Sequence, residues 1–267
     1  MLRDVAFGPD PGRYPLPVPG DAVGRWLRGV ALGGQGRYAQ ARAELETLRR
    51  STAQPAVLSL AASSQASLLR QLGSHARASG YDGEALALVG ASRSRDREGA
   101  PLIDEARCDA LTGLAADALG CGRLALGRRL LARCREYLDE VGDPDTLWRQ
   151  HIRLDWVTTE IALAKGDFET AATHSAAAVA LSADCPSVRH RIKSALLFAA
   201  AATGLPESDR ALQAAEQVLA DSDTHGLVPL RWAAAMLVNG VKPTAAARAV
   251  RDDCAAVLAR RGGRFVT

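Results

Sequence analysis

Six glycines, Gly36, Gly80, Gly122, Gly166, Gly204 and Gly240, recur along the chain at intervals of 44, 42, 44, 38 and 36 residues. Each closes an apolar run and precedes a second run of helical character. Such an interval holds two helices of three to four turns and the tight turns that join them. Self-similarity at this period marks stacked repeats, so the expected fold class is all-α: about six antiparallel hairpins, about twelve helices, and no sheet beyond a stray bridge. Composition agrees. Aromatics make up 4% of 267 residues that are 48% hydrophobic, and Ala and Leu dominate, which suits closely spaced helices better than sheets.

The segments after the glycines carry a more specific signal. Gly36-Arg37-Tyr38 leads to Ala41, Leu45 and Leu48; Gly166-Asp167-Phe168 leads to Ala171 and Ala178; Gly122-Arg123-Leu124 leads to Gly127, Leu131 and Cys134. Seven residues before the glycines stand Gly29, Gly73, Ala115 and Thr159, small in four of the first five units, where the fifth has Leu197. This pattern resembles the tetratricopeptide repeat over roughly residues 22 to 183. The resemblance implies a right-handed superhelix whose aromatics pack within hairpins and whose first helices line a concave binding surface. It also implies that no interior cleft is present. The intervals exceed the usual ~34 residues of that repeat, which implies longer helices or loops, including a long helix over about 55–79 and a polar loop over 93–101.

Residues 1–20 form a separate expectation. Pro9, Pro11, Pro15, Pro17 and Pro19 bar regular helix and favour an extended tail. Phe7, Tyr14, Leu16 and Val18 offer anchors, so the tail either packs on the first hairpins or stays mobile; residues 21–267 make the repeat domain.

Charge and motifs set bounds on function. A net charge of +3, from 33 basic and 30 acidic residues, gives no global case for nucleic acid. The longest apolar run, 195–202, is far short of the ~20 residues of a membrane span. Five cysteines without a C-x-x-C spacing point to a reducing, cytoplasmic setting, and the thirteen-residue spacing of Cys108, Cys121 and Cys134 lacks the clustering that metal ligation needs. High Ala, Arg and Gly usage is compatible with a GC-rich bacterial genome. The common hydrolase, metalloprotease, P-loop and redox signatures are missing from the sequence. The expectation is therefore a protein or peptide as partner, no cofactor, no metal and no catalysis. A ligand-sensing domain of a bacterial regulator, or a nucleic-acid binder working through Arg-rich helices, are the alternatives.

Counting back from the glycines to the groove-lining positions that the resemblance implies selects Trp26, Arg70, Ser74, Arg77, Asp109, Thr112, Arg153, Trp156, Glu160, Arg191 and Ser194. Arg and Trp dominate many interfaces, although Trp26 and Trp156 also have the spacing of core residues. Two basic clusters, Arg123 to Arg135 and Arg189-His190-Arg191 with Lys193, are expected on solvated outer faces. His151 and Asp155, four apart on one helix, form a polar pair.

Overall fold

The computed structural model describes residues 1–90, 100–141, 145–205 and 208–266; the loop expected over 93–101 falls almost entirely outside them, as does Pro206 after Gly204. Among the described residues every regular element is an α-helix: α1 (Leu2–Phe7), α2 (Ala22–Gly34), α3 (Tyr38–Ser51), α4 (Pro55–Arg70), α5 (His75–Gly90), α6 (Ala100–Gly120), α7 (Leu124–Val141), α8 (Trp148–Ala164), α9 (Phe168–Ala183), α10 (Val188–Ala202), α11 (Ser208–Thr224), α12 (Val228–Val241) and α13 (Ala245–Arg260). From α2 onward they form six antiparallel hairpins.

The first four hairpin turns share one local mechanism, whereas Gly204 and Gly240 lack a positive φ and Gly240 lies inside α12, one residue before its end. After α2, Gly36 adopts φ +73°, its N–H bonds Gly33 O, and the N–H of Arg37 reaches back to Leu32 O at 2.8 Å. This left-handed glycine cap satisfies the last carbonyls of a helix and reverses the chain. The same pattern of bonds recurs at Gly73, Gly122 and Gly166, with Ser74 N to Leu69 O, Arg123 N to Ala118 O and Asp167 N to Ala162 O. The second helix then starts on its own cap in some hairpins: the Asp167 side chain accepts from Thr170 N, and Thr244 accepts from Ala247 N.

The second turn differs from expectation. It lies at Gly73, while Gly80 sits inside α5, exposed and with no neighbour near its missing side chain. The long helix expected over 55–79 is therefore two helices. Gly80 fits the even intervals of 44 and 42 residues, but the backbone turns where a helix end places its carbonyls against a glycine with positive φ, and that is Gly73. The small residue seven positions earlier becomes Ala66, which is fully buried. Its counterpart Gly29 has no room for a side chain, since a Cβ there would lie 2.7 Å from Leu45. Close approach of the paired helices requires these small residues.

The N-terminal segment also departs from expectation. Residues 2–7 are helical because the first proline comes only at position 9, and α1 buries Val5, Ala6 and Phe7. The chain then runs extended past the prolines, with Leu16 buried and Tyr14 and Val18 exposed. Gln35 holds this stretch by donating from Nε2 to the carbonyls of Pro11 and Arg13, both at 2.9 Å.

The largest departure is closure. The last hairpin and the residues after it return to the first hairpins. Ala39 N bonds Arg261 O at 2.9 Å, Arg42 donates to Gly262 O, Arg261 donates to Gln35 O, and Val266 N bonds Leu72 O. Leu258 packs against Gly36, and Tyr38 lies against Gly263. One apolar cluster thus contains Trp26, Leu45 and Leu60 together with Leu258, flanked by Trp232 and Phe265, whose rings stack at 4.2 Å. On the other side α1 bridges α2 and α10, with Val188 N bonding Gly8 O. The array is a ring, so its ends stabilise each other as well as their chain neighbours.

Tyr38, Ala41 and Ala171 are almost fully buried, and Phe168 packs on Gly204 at the turn of the next hairpin, so this aromatic joins hairpins instead of packing within one. Replacing Ala171 with Leu should overpack the α8–α9 hairpin and cost about 1–3 kcal/mol. Urea unfolding checks this, and an unchanged midpoint would contradict the packing described.

Candidate binding cavity

The inner helices α2, α4, α6, α8, α10 and α12 face one another around a cavity of about 620 Å³, closed further by Leu258 and Phe265. A volume of this size matches ligand-holding clefts. The expectation of no interior cleft is thereby corrected, and the reason is closure: an open superhelix has a groove, but a ring has an inside.

Part of the lining is apolar, with Leu196, Leu197, Leu230, Trp232 and Phe265, and part is charged. On the charged wall α8 presents residues at i, i+4, i+7 and i+11: Arg149, Arg153, Trp156 and Glu160, which is one helical stripe. Asp109 of α6 pairs with Arg149 at 2.7 Å and with Arg153 at 3.1 Å, while Glu105 takes the other side of Arg149 at 3.1 Å. Thr112 donates to Cys108 O and accepts from Arg153. Lys193 of α10 pairs with Glu160 at 2.9 Å and lies over the Trp156 ring. Arg70 of α4 sits between two fully buried carboxylates, Asp82 and Asp117. Ser63 donates to Asp82 at 2.8 Å.

Aromatics bound the charged wall. His190 stacks on Trp156 with ring centroids 5.1 Å apart and meets Trp148 edge-on. Trp156 donates from Nε1 to Ser194 Oγ at 2.9 Å, and Trp26 donates to Ser64 Oγ at 3.0 Å. Burial, reinforced by the charges of Arg189, Arg149, Arg153 and Lys193, pushes the His190 imidazole well below its ordinary pKa, so it is neutral at neutral pH. Burial lifts the Asp82 carboxyl to about 7, against the pull of Arg70 and with the push of Asp117.

Of the residues selected from sequence, Trp26, Arg70, Asp109, Thr112, Arg153, Trp156 and Glu160 line the cavity. Ser194 is buried behind Trp156 as its hydrogen-bond acceptor. Three others lie elsewhere. Ser74 is in the α4–α5 turn and Arg77 is exposed on α5, both displaced by counting from Gly80 instead of Gly73. Arg191 turns away to Cys185 O. Arg149, Arg189, His190 and Lys193 line the cavity and were missing from the selection, although the run Arg189-His190-Arg191 with Lys193 stands out in the sequence. The outer-face expectation fails for Arg189, His190 and Lys193. It holds for Arg123, Arg128, Arg129, Arg133 and Arg135, which are exposed at and along α7. Asp155 pairs with His174 at 2.7 Å, on the outer helix α9, in place of His151. No group of metal-ligating side chains is found among the described residues, where Cys121 is exposed, away from the buried Cys108 and Cys134.

No protein-family model and no curated protein sequence matches the chain. Among solved structures, a Rap protein complexed with Competence and Sporulation Factor superposes with a TM-score of 0.62 over 90% of this chain, at 12% identity. The fold is a tetratricopeptide-like helical repeat. This chain spans 64% of the length of that Rap protein. The nearly identical TPR-like repeats of a Podosopora anserina kinesin light chain-type protein match at TM-scores of 0.46 and 0.45, with 16% and 17% identity, over 79% of this chain and 95% of theirs. Among the described residues, no helix of this repeat is long and apolar enough to cross a membrane.

The position of Asp82 has a consequence for pH. Its folded pKa lies above the ordinary carboxylate value of ~3.9, so between about pH 4 and 7 the folded protein keeps a proton that the unfolded chain has released. Its contribution to stability is therefore present at low pH and lost as pH rises through about 7. Denaturant unfolding at pH 5 and pH 8 should show a smaller pH difference for Asp82→Asn than for the wild type. Equal differences would contradict the assignment.

Proposed function

We propose that this chain is a non-catalytic scaffold that receives a peptide or protein segment in the cavity enclosed by its repeat ring. The observation that carries the proposal is the cavity wall itself: six successive inner helices contribute to it, and it places arginine and tryptophan side chains beside an apolar shelf. Those residue types, at the centre of a desolvated pocket, supply most of the binding energy in many interfaces. The fold neighbour above is likewise a complex.

The polar chemistry of the cavity supports binding over catalysis. Asp109, Asp117 and Glu160 are tied to cations. His190 contacts Ser187 at 2.8 Å, but Ser187 is the buried cap of α10 and is not on the cavity wall. That pair therefore serves the helix start and not a reacting group.

The alternative of a ligand-sensing regulatory domain shares this cavity and gains support from closure, since an occupant that altered the ring's seam would be felt at both ends of the chain. Nucleic acid would instead use the exposed arginines of α7. Selection of displayed peptides on the full chain, repeated with Ser67→Trp, tells a ligand held in the cavity from one held on α7, because Ser67 lines the cavity and an indole there would obstruct it. Selected ligands should bind Ser67→Trp about tenfold more weakly or worse, ~1.4 kcal/mol or more, and should be indifferent to Arg128→Glu with Arg133→Glu. Loss of binding only in the α7 variant would contradict the proposal.

A further inference from the structure

The charges of the cavity do not all cancel locally. Arg70 has Asp82 and Asp117, Arg149 has Asp109 and Glu105, and Lys193 has Glu160. Arg189 has no carboxylate partner among the described residues; its hydrogen bond goes to the backbone carbonyl of Ala6 at 3.2 Å. Arg153 shares Asp109 with Arg149, its Nε lying 3.1 Å from Asp109 Oδ1 without hydrogen-bond alignment.

Arg189 is held at an unfavourable place for a cation. It lies in the first turn of α10, where the helix dipole disfavours positive charge. It shares the Phe7 ring with a second guanidinium: Arg149 lies 4.8 Å and Arg189 5.8 Å from the ring centroid. Burial and the repulsion of Arg149 and Arg153 bring its pKa down to about 10, which leaves it charged at neutral pH. The fold makes room for it nonetheless. Gly34 lies alongside, and a Cβ there would come within 2.9 Å of Arg189 Nη1. A partly buried charge without a carboxylate partner costs stability. An arriving oxyanion removes that cost, and a guanidinium offers it two parallel hydrogen bonds.

We propose that Arg189, flanked by Arg153 and Lys193, forms an oxyanion site that seats a carboxylate or phosphoryl group of the ligand beside the aromatic wall of Phe7, Trp26, Trp156 and His190. This deepens the scaffold proposal and rests on the cavity being the place where the ligand binds: the segment received there carries an acidic group next to an apolar or aromatic one. Arg149 is taken up by Asp109 and Glu105 and serves to hold the wall. Leu196 and Leu197 follow Lys193 by one turn on α10 and line the same cavity with Trp232, so the ligand carries an apolar part close to its anionic group.

The test uses the full chain and small probes. Phenylphosphate, phenylacetate and neutral phenylacetamide are titrated at constant ionic strength, with binding followed by calorimetry and by the fluorescence of the cavity tryptophans. At least one anion should bind about tenfold or more tighter than the amide; which one does so tells a phosphoryl-bearing ligand from a carboxylate-bearing one. Arg189→Gln should weaken that anion about tenfold, and Arg191→Gln, whose side chain points to Cys185, should not. Gly34→Val keeps every charge but displaces the Arg189 guanidinium, and should weaken the anion as well, which covers the case of a poorly folded Arg189→Gln. Anions that bind no tighter than the amide, or equally well to both cavity variants, would overturn the site. A cavity-dependent peptide indifferent to Arg189→Gln would overturn the site and leave the scaffold standing. Anion binding that Arg189→Gln abolishes, with no cavity-dependent peptide or protein, would leave the site standing and overturn the scaffold.

Discussion

Everything distinctive about this structure depends on the seam at which the last hairpin meets the first. Tetratricopeptide-like hairpins touch mainly their neighbours, and such an array ordinarily has two free ends. Here the residues after α13 lie along α3 and the α4–α5 turn, with backbone bonds from Ala39 to Arg261 and from Val266 to Leu72. The apolar partner of those bonds is Leu258, which fits against Gly36 only because that glycine has no side chain. The glycine that turns the first hairpin thus also admits the last one. The nearest-neighbour picture predicts broad, weakly cooperative unfolding, whereas the seam adds a long-range coupling to it.

Closure turns a groove into an interior, and an interior changes the cost of charge. A row of arginines on an open concave face would be screened by water and worth little. Inside the ring, Arg149 and Asp109 are nearly inaccessible, and each depends on the other for compensation. Buried ion pairs contribute little net stability compared with apolar packing, so the density of them here accords with the recognition role proposed for the cavity more than with a need of the fold. Burial raising Asp82 while Arg70 stays paired, and His190 kept neutral among four cations, have the same origin.

Much of the fold was legible in the sequence, because helix periodicity and turn glycines are local properties. Gly36, Gly122 and Gly166 announce their turns through the residues that follow, and Gly29 and Ala115 announce close helix contact. Gly80 misled because it stands 44 and 42 residues from Gly36 and Gly122, an even interval, while the chain turns at Gly73, which breaks that interval into 37 and 49. That shift moved Ser74 and Arg77 off the wall. Arg189 and Lys193 were visible as a basic run, but whether such a run faces water or an interior depends on where the ends of the array lie, which no local pattern encodes. Closure itself rests on contacts between residues about 220 positions apart, such as Arg42 and Gly262, and nothing in the spacing of the repeats announces them.

The central claim is that the ring is closed in solution, and residue-resolved amide hydrogen exchange tests it most directly. The amides of Ala39 and Val266 have partners only across the seam, to Arg261 O and Leu72 O. A closed ring predicts that both exchange far more slowly than solvent-exposed amides and that they slow together, since one opening event releases both. Exchange of Val266 at the rate of an unstructured chain, with Ala39 equally fast, would show an open array and would remove the cavity on which the functional proposals stand.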